Sequence, residues 1–484
     1  MNNQKGAALI FVMIGLALLT LVGLALAFQS STEYNISNNF ITSQQALAIA
    51  DGGIAVGKSY LRGKDFNTVL AKTTDVPAFA SDAQSEEGTF AGRNPIGRLT
   101  ARSFKFDAYS STQTATALPA LSLVTSAISG SKWTVRGYIG QPGGNALGDG
   151  LYFLKLSDNK DEAAIQDYTH DIDNKVYMRS VGVHRVDKSD KANGSGRTQA
   201  SVAVIEALFK RDQSFNIQSP FAVQGPSVNA RFDGNSFDID GRNYNGLTPD
   251  QIRAGGGKPS DIGAVPGIGG INDTGSGPLT DSITSALSGN QGDNIKGVDA
   301  NGVPVTPAVG DITSGVKSGG DSANVLDPNW IGNFIDLIGG IGDITYNGDT
   351  TLSGSGITLG TDADPKLTIV NGDLHVSGSG GGAGVLIVTG NMDYQGSFDF
   401  NGVIIVLGET LDIGGANKSI IGGLFYANLD KDGSNYSWGP ASFNIHGNSN
   451  FYYRSDSIKM GWSLLPLKVL SWREVPPELD KVGN

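Results

Sequence analysis

Leu367-Thr368-Ile369-Val370, Val385-Leu386-Ile387-Val388 and Val403-Ile404-Ile405-Val406 are short apolar runs that recur every 18 residues. Gly354, Gly372, Gly390 and Gly408 keep the same step. So do Leu367, Val385, Val403 and Ile421, and Val370, Val388, Val406 and Leu424. A fixed step held by several apolar columns at once is the mark of a repeat architecture. One such unit cannot bury its apolar face alone, so neighbouring units must stack. An 18-residue rung with glycine at its turns suits a parallel β-helix, in which like residues lie on like residues. This predicts a β-helix-like domain over 341–455, with about five or six rungs.

Working outward, the tail 456–484 holds an apolar stretch with Trp462 and Trp472. It is expected to close the last rung or to pack back on the head, with an exposed interaction patch as the alternative. Upstream, 215–340 is dense in Gly and Pro, as in 255–259 and 263–270, and reads as an irregular region. Within it, 282–287 and 330–338 fit short helices. Farther back, 133–139, 151–156, 175–183 and 201–209 alternate apolar and polar residues, with turn residues at 171–175 and 191–196. These predict an antiparallel sheet in a β-rich head over 62–214. The stretch 62–130 is polar and rich in small residues.

The chain opens with a polar stretch, 1–6, whose one charged side chain is Lys5, followed by 22 uncharged residues from Ala7 to Phe28. About 20 apolar residues cross a bilayer as a helix. Three readings fit this opening. One is a plain membrane anchor. The second is a secretory signal peptide, for which Ala25-Leu26-Ala27 offers a small-x-small cleavage pattern. The third is a prepilin-type leader over 1–6, cut after Gly6, with the helix retained. Ile36, Phe40, Leu47, Ala50, Ile54 and Leu61 fall on one helical face. A helix is therefore predicted over 7–61, roughly 80 Å long, with 7–28 in the membrane and an amphipathic continuation. A cleaved signal peptide does not predict that continuation. Lys5 before the span and acidic Glu33 and Asp51 after it predict a cytoplasmic amino terminus, with the bulk of the chain outside.

Gln4-Lys5-Gly6-Ala7-Ala8-Leu9-Ile10, the long apolar helix and the segment Gln45 to Ile54, taken in order, resemble the PilX-type minor pilins. The GspK-type minor pseudopilins of type II secretion share this layout. The resemblance implies cleavage between Gly6 and Ala7 by a prepilin peptidase and N-methylation of Ala7. It also implies residence in the inner membrane with the head in the periplasm, followed by a place at or near the tip of an extracellular pilus. The implied partners are other major and minor pilins, reached through the helix. Major pilins carry a Glu at the fifth mature position, which pairs with the amine of a neighbouring subunit. Phe11 stands there in this chain, which argues against a repeated filament subunit. The implied function is a non-enzymatic subunit that assists pilus assembly or priming and displays a tip surface. A membrane-anchored adhesin or glycan-binding β-helix is the alternative, and a carbohydrate-active enzyme a third reading.

The fold class expected is α+β. Of 484 residues 68 are Gly and only 17% are charged, against a usual Gly share of about 7%, which favours turns and repeats. A net charge of −12 argues against a nucleic-acid partner. Without Cys there is neither a disulfide nor a thiol nucleophile. His170, His184, His375 and His446 lack zinc-site spacing, and no P-loop or nucleophile elbow occurs. No cofactor, catalytic residue or metal ligand is assigned. Asp373, Asn391 and Glu409 each follow a repeating glycine and suggest a polar ladder. Asp393 and Asp399 are the carboxylates to weigh as an acid–base pair, with a solvated turn as the plainer reading. The loops at Asp171/Asp173 and Asp430/Asp432 are weighed as calcium sites, although Asp-rich turns also form for backbone reasons alone.

Overall fold

The computed structural model describes residues 3–67, 133–139, 149–159, 171–188, 197–216, 218–272, 279–299, 301–415 and 418–475. The chain divides into two compact units. One comprises 1–60, 66–210 and 469–484, the other 61–65 and 211–468.

In the first unit, a single helix runs Asn3–Leu61 over 59 residues. It fits the absence of proline and the Ala-rich stretch after Gln45. Strands Trp133–Ile139, Asp149–Asp158, Lys175–Lys188 and Arg197–Arg211 follow one another in an antiparallel sheet. Leu467–Val475 adds a fifth strand beside Arg197–Arg211. The tail thus contributes a strand to this sheet. Val176, Met178, Ser180, Gly182 and His184 alternate along one buried face, as period two requires. The helix buries Thr42, Ala46, Ile49, Ala50, Ile54 and Leu61. Ile36 and Phe40, expected on that stripe, are instead exposed. Residues 68–130, the 191–196 turn and His170 lie outside the described residues.

The second unit is a three-sided coil of stacked parallel strands. Leu367–Val370, Val385–Val388 and Val403–Val406 lie in register one above the next, at the 18-residue step. The step then lengthens. Val403 pairs with Gly423 and Val406 with Tyr426, while Ile421 lies beside Asn401 and Leu424 beside Ile404. Ile421 and Leu424 are therefore not members of the columns assigned to them from sequence. The first rung is also longer: Ile344 pairs with Thr368. Its extra residues form the turn that pairs Thr361 with Asp364.

The region 215–340 corrects the expectation of irregular chain. Phe221–Gln224 pairs in parallel with Leu424–Ala427, and Ile268–Ile271 and Val309–Asp311 stack beyond it. Val228–Asp233 pairs with Ala441–His446, and Asp238–Asp240 pairs with residues 450–452. The chain thus enters the coil at mid-stack and builds rungs toward one end. It then crosses over through the helices Thr313–Ser318 and Pro328–Ile338. From Ile344 it builds back until Leu424 meets Phe221. The expected helices at 282–287 and 330–338 correspond to Thr280–Ser285 and Pro328–Ile338.

Alternation explains the unbroken apolar runs. Leu386, Val388, Ile404, Val406, Leu424 and Tyr426 fill the interior of the coil. Val385, Ile387, Val403 and Ile405 point the other way and pack against Ile331, Phe334, Ile458 and Trp462. Strands buried on both faces lose the polar half of the pattern. Each fully buried side chain of this size stabilises the fold by about 1.5–3 kcal/mol.

Glycine marks the corners because successive rungs approach backbone to backbone. A β-carbon on Gly402 would stand 2.0 Å from the Gly384 carbonyl oxygen, and one on Gly422 would stand 2.1 Å from that of Gly402. At a second corner the stack is Gly348, Gly372, Gly390 and Gly408; Gly354 belongs to a third, beneath Gly378.

Candidate functional site

Two surfaces carry the functional information. The first is the N-terminal helix. Gly6 and Ala7 lie within it. From Phe11, 75% exposed, to Ile41 its large apolar side chains are exposed. The helix is long and apolar enough to cross a membrane. Its packed portion begins at Thr42, whose Oγ1 accepts a hydrogen bond from Ser201 Oγ at 2.8 Å. Within the first unit Glu206, 2% exposed, accepts from Arg473 Nε at 2.9 Å, which pairs its buried charge.

The second is one side of the coil. Helices Pro328–Ile338 and Ser455–Ser463 cover one long side, and Tyr244 and Ile252 pack on Ile421 of another. The third side is a six-stranded parallel sheet. Leu374, Val376, Met392, Tyr394, Leu411 and Ile413 point inward from it. The residues between them form one outward file, in register: Thr351, His375, Asp393, Asp412, Asn444 and Arg231. His375 Nδ1 meets Asp393 Oδ2 at 2.8 Å, and His446 Nε2 meets Asp412 Oδ1 at 2.8 Å. Thr351, His375, Asp393 and Asp412 of this file line a groove of about 410 Å³.

The ladder expected from Asp373, Asn391 and Glu409 exists in altered form. The Asp373 amide donates to Asp349 Oδ1 at 3.0 Å, the Asn391 amide to Asp373 Oδ1 at 2.8 Å, and the Thr410 amide to Asn391 Oδ1 at 2.8 Å. These side chains serve the backbone of the next rung. Thr410, not Glu409, continues the series.

Asp393 and Asp399 do not form a pair. Asp393 lies on the six-stranded side and Asp399 on another sheet, where it accepts from the Ser419 amide at 2.7 Å. Burial raises the Asp399 carboxyl above its usual range. Asp171 and Asp173 both accept from the Lys175 amide, and Asp173 is ion-paired to the Lys175 amine. Asp430 lies on the hairpin strand opposite Ser437. Among the described residues no three His, Asp or Glu side chains converge as a metal site. His184 is buried on its strand.

One group went unnoticed in the sequence. Lys418 is fully buried, donates to the Tyr394 carbonyl and sits 4.5 Å from the Tyr394 ring centroid. Burial pushes its amine down to about 7, against the opposing pull of Asp412 and Asp393. The His375–Asp393 pair did leave a signal, since the two residues are 18 apart and that step stacks them.

Residues 5–55 match the PilX N-terminal family. No curated protein matches the chain. Among solved structures, the competence-associated pilin ComZ from Thermus thermophilus aligns at 10% identity over 70% of this chain and 87% of that one, with a TM-score of 0.14. A superposition at that score carries no argument about the fold.

Proposed function

We propose that this chain, whose residues 5–55 form a PilX N-terminal region, is a minor pilin-like structural subunit of a type IV pilus or a related machine. The observation that carries the reading is the division of its helix. From Phe11 to Ile41 the large apolar side chains are exposed among the described residues, and from Thr42 onward one stripe is buried against the sheet. Such a helix suits two successive environments, first lipid and then a bundle of like helices, because neither requires the fold to change.

On this reading the helix begins at Ala7, after a prepilin peptidase cuts behind Gly6, and its amine is N-methylated. The subunit waits in the inner membrane with its head in the periplasm and leaves when the filament extends. Phe11 offers no carboxylate to a neighbour's amine, which favours a place at or near the tip and a role in priming assembly. The large head, a parallel β-helix in this reading, is then what the tip displays. The role is structural. The carboxylates weighed for acid–base chemistry, Asp393 and Asp399, stand on separate sheets.

A photo-crosslinking residue at Leu19 or Phe40, both exposed, tests the assembly step. The expected result is adducts to other pilin subunits in sheared pilus or membrane fractions. Adducts to lipid alone in every fraction would contradict it.

A further inference from the structure

We infer that the strand Leu467–Val475 is a pairing edge for a second copy of this chain, joined antiparallel about a two-fold axis at Ser471. The strand is the last in the five-stranded sheet of the first unit, and among the described residues no other strand lies beyond it. No proline falls between Pro466 and Pro476, so every residue of the strand keeps its N–H. Residues 468–474 are all exposed, Trp472 at 50% and Leu470 at 42%. Natural sheets blunt their edges with short strands, proline, bulges or charge. This edge is nine residues long and keeps its apolar side chains at the centre, with charge only toward its ends.

The sequence of the strand specifies what pairs with it. Side chains alternate between the two faces of a strand. Arg473 reaches back to Glu206 of the neighbouring strand, its Nε donating at 2.9 Å, so Arg473, Ser471 and Val469 share that face. Lys468, Leu470, Trp472 and Glu474 take the other. Read in the reverse direction, this second set complements itself. With Ser471 opposite Ser471 of the second copy, Lys468 faces Glu474 and Leu470 faces Trp472, and the two-fold axis repeats both pairs. Opposite charges and apolar–aromatic contacts directly across an antiparallel pair are stabilising.

Other registers lose this match. A slip by two residues sets Lys468 against Trp472 or Glu474 against Leu470 and leaves the remaining charge without its partner. Parallel pairing in register sets Lys468 on Lys468 and Glu474 on Glu474, which repel. An isologous contact of this kind closes on itself and ends at a dimer. Main-chain hydrogen bonds supply the affinity of strand addition, and the side chains its specificity. The inference concerns the sheet of the first unit alone and stands whether or not the helix enters a pilus.

The test is sedimentation equilibrium of the full chain in detergent micelles, together with cysteine crosslinking. The chain has no cysteine, so an introduced thiol is the only one. Ser471→Cys is expected to give a covalent dimer with a short bismaleimide. Lys468→Cys and Glu474→Cys are expected to crosslink when mixed and not when alone, because six residues of strand hold like positions on the order of 20 Å apart. In sedimentation, Lys468→Glu and Glu474→Lys are each expected to weaken the dimer by about fivefold or more, and the double exchange to restore it. Both positions are exposed, so thermal melting is expected to stay unchanged. Should either exchange unfold the chain, the mixed-cysteine pattern decides. A chain that stays monomeric overturns the proposal and would point to a strand of a different subunit instead. So does a dimer that the single exchanges leave intact, or crosslinking that ignores position, both of which mark association through the helix.

Discussion

Gly182 lies against the backbone of Ala46. A β-carbon on Gly182 would stand 2.1 Å from the Ala46 carbonyl oxygen and 2.4 Å from the Ala50 nitrogen. Helix and sheet of the first unit therefore meet without an intervening side chain, and any residue larger than glycine pushes them apart. Gly182→Ala is expected to lower stability by about 1–3 kcal/mol or more through overpacking. Gly381→Ala, whose nearest atom would be 3.5 Å away, serves as the tolerated comparison. Thermal melting of both variants checks the difference.

The coil corners make a parallel prediction. Gly402 (φ +139°) and Gly433 (φ +63°) both have positive φ, but only Gly402 faces a neighbouring rung, while a β-carbon on Gly433 meets nothing within 4 Å. Left-handed backbone costs an alanine about 1–2 kcal/mol, and overpacking at Gly402 adds about 1–3 kcal/mol. Denaturant midpoints should fall clearly further for Gly402→Ala than for Gly433→Ala. Equal falls would mean that the rungs are not in close backbone contact.

The stacked interior was legible because Val385-Leu386-Ile387-Val388 and its repeats are buried on both faces and keep one step. The step itself was legible only while it stayed constant. Two extra residues before Ile420 shifted Ile421 and Leu424 out of their assigned columns. The rungs of 221–311 were missed because their strands are three to six residues long, lie among Gly and Pro, and share no fixed spacing. Their register comes from Phe221 meeting Leu424, a contact between distant parts of the chain that no local pattern encodes. On the helix, the spacing of Ile36 and Phe40 fits a core stripe, yet both are exposed among the described residues. On the proposed reading, their apolar character answers to lipid or to neighbouring helices. At the candidate face, the 18-residue step between His375 and Asp393 carries the signal of their contact, although neither residue stands out by type. The ladder passes through Thr410 instead of Glu409 because this rung is one residue longer than 18, which sets Met392 beside Leu411.

Lys418 gives a pH dependence with a definite sign. Its amine titrates near 7 in the fold, against about 10.4 in an unfolded chain. Between those values the unfolded state holds more protons, so stability rises as pH climbs from about 7 toward 10. Below about 7 both states are protonated, and the cost of the buried charge is fully present. Lys418→Met is expected to raise the melting temperature at neutral pH and to flatten the rise seen in the parent chain. Melting curves from pH 6 to 10 check both effects.

Asp343 anchors two neighbours. It forms a two-pronged ion pair with Arg62, at 2.9 Å on each arm, and accepts from the Leu367 amide at 2.9 Å. Arg62 also donates to the Leu464 carbonyl at 3.2 Å. Half-exposed ion pairs contribute little, about 0.2–1 kcal/mol, whereas stripping a partner from a rung amide costs about 1–3 kcal/mol. Asp343→Ala should therefore destabilise more than Arg62→Lys in chemical unfolding.

The central claim, that the N-terminal helix is retained as an assembly element, is tested most directly at the amino terminus of the protein recovered from membranes. Intact mass and N-terminal sequencing are predicted to find N-methylated Ala7 as the first residue. A mature chain beginning at Phe28 would contradict the account, because the helix by which the subunit is proposed to join its partners would have been removed.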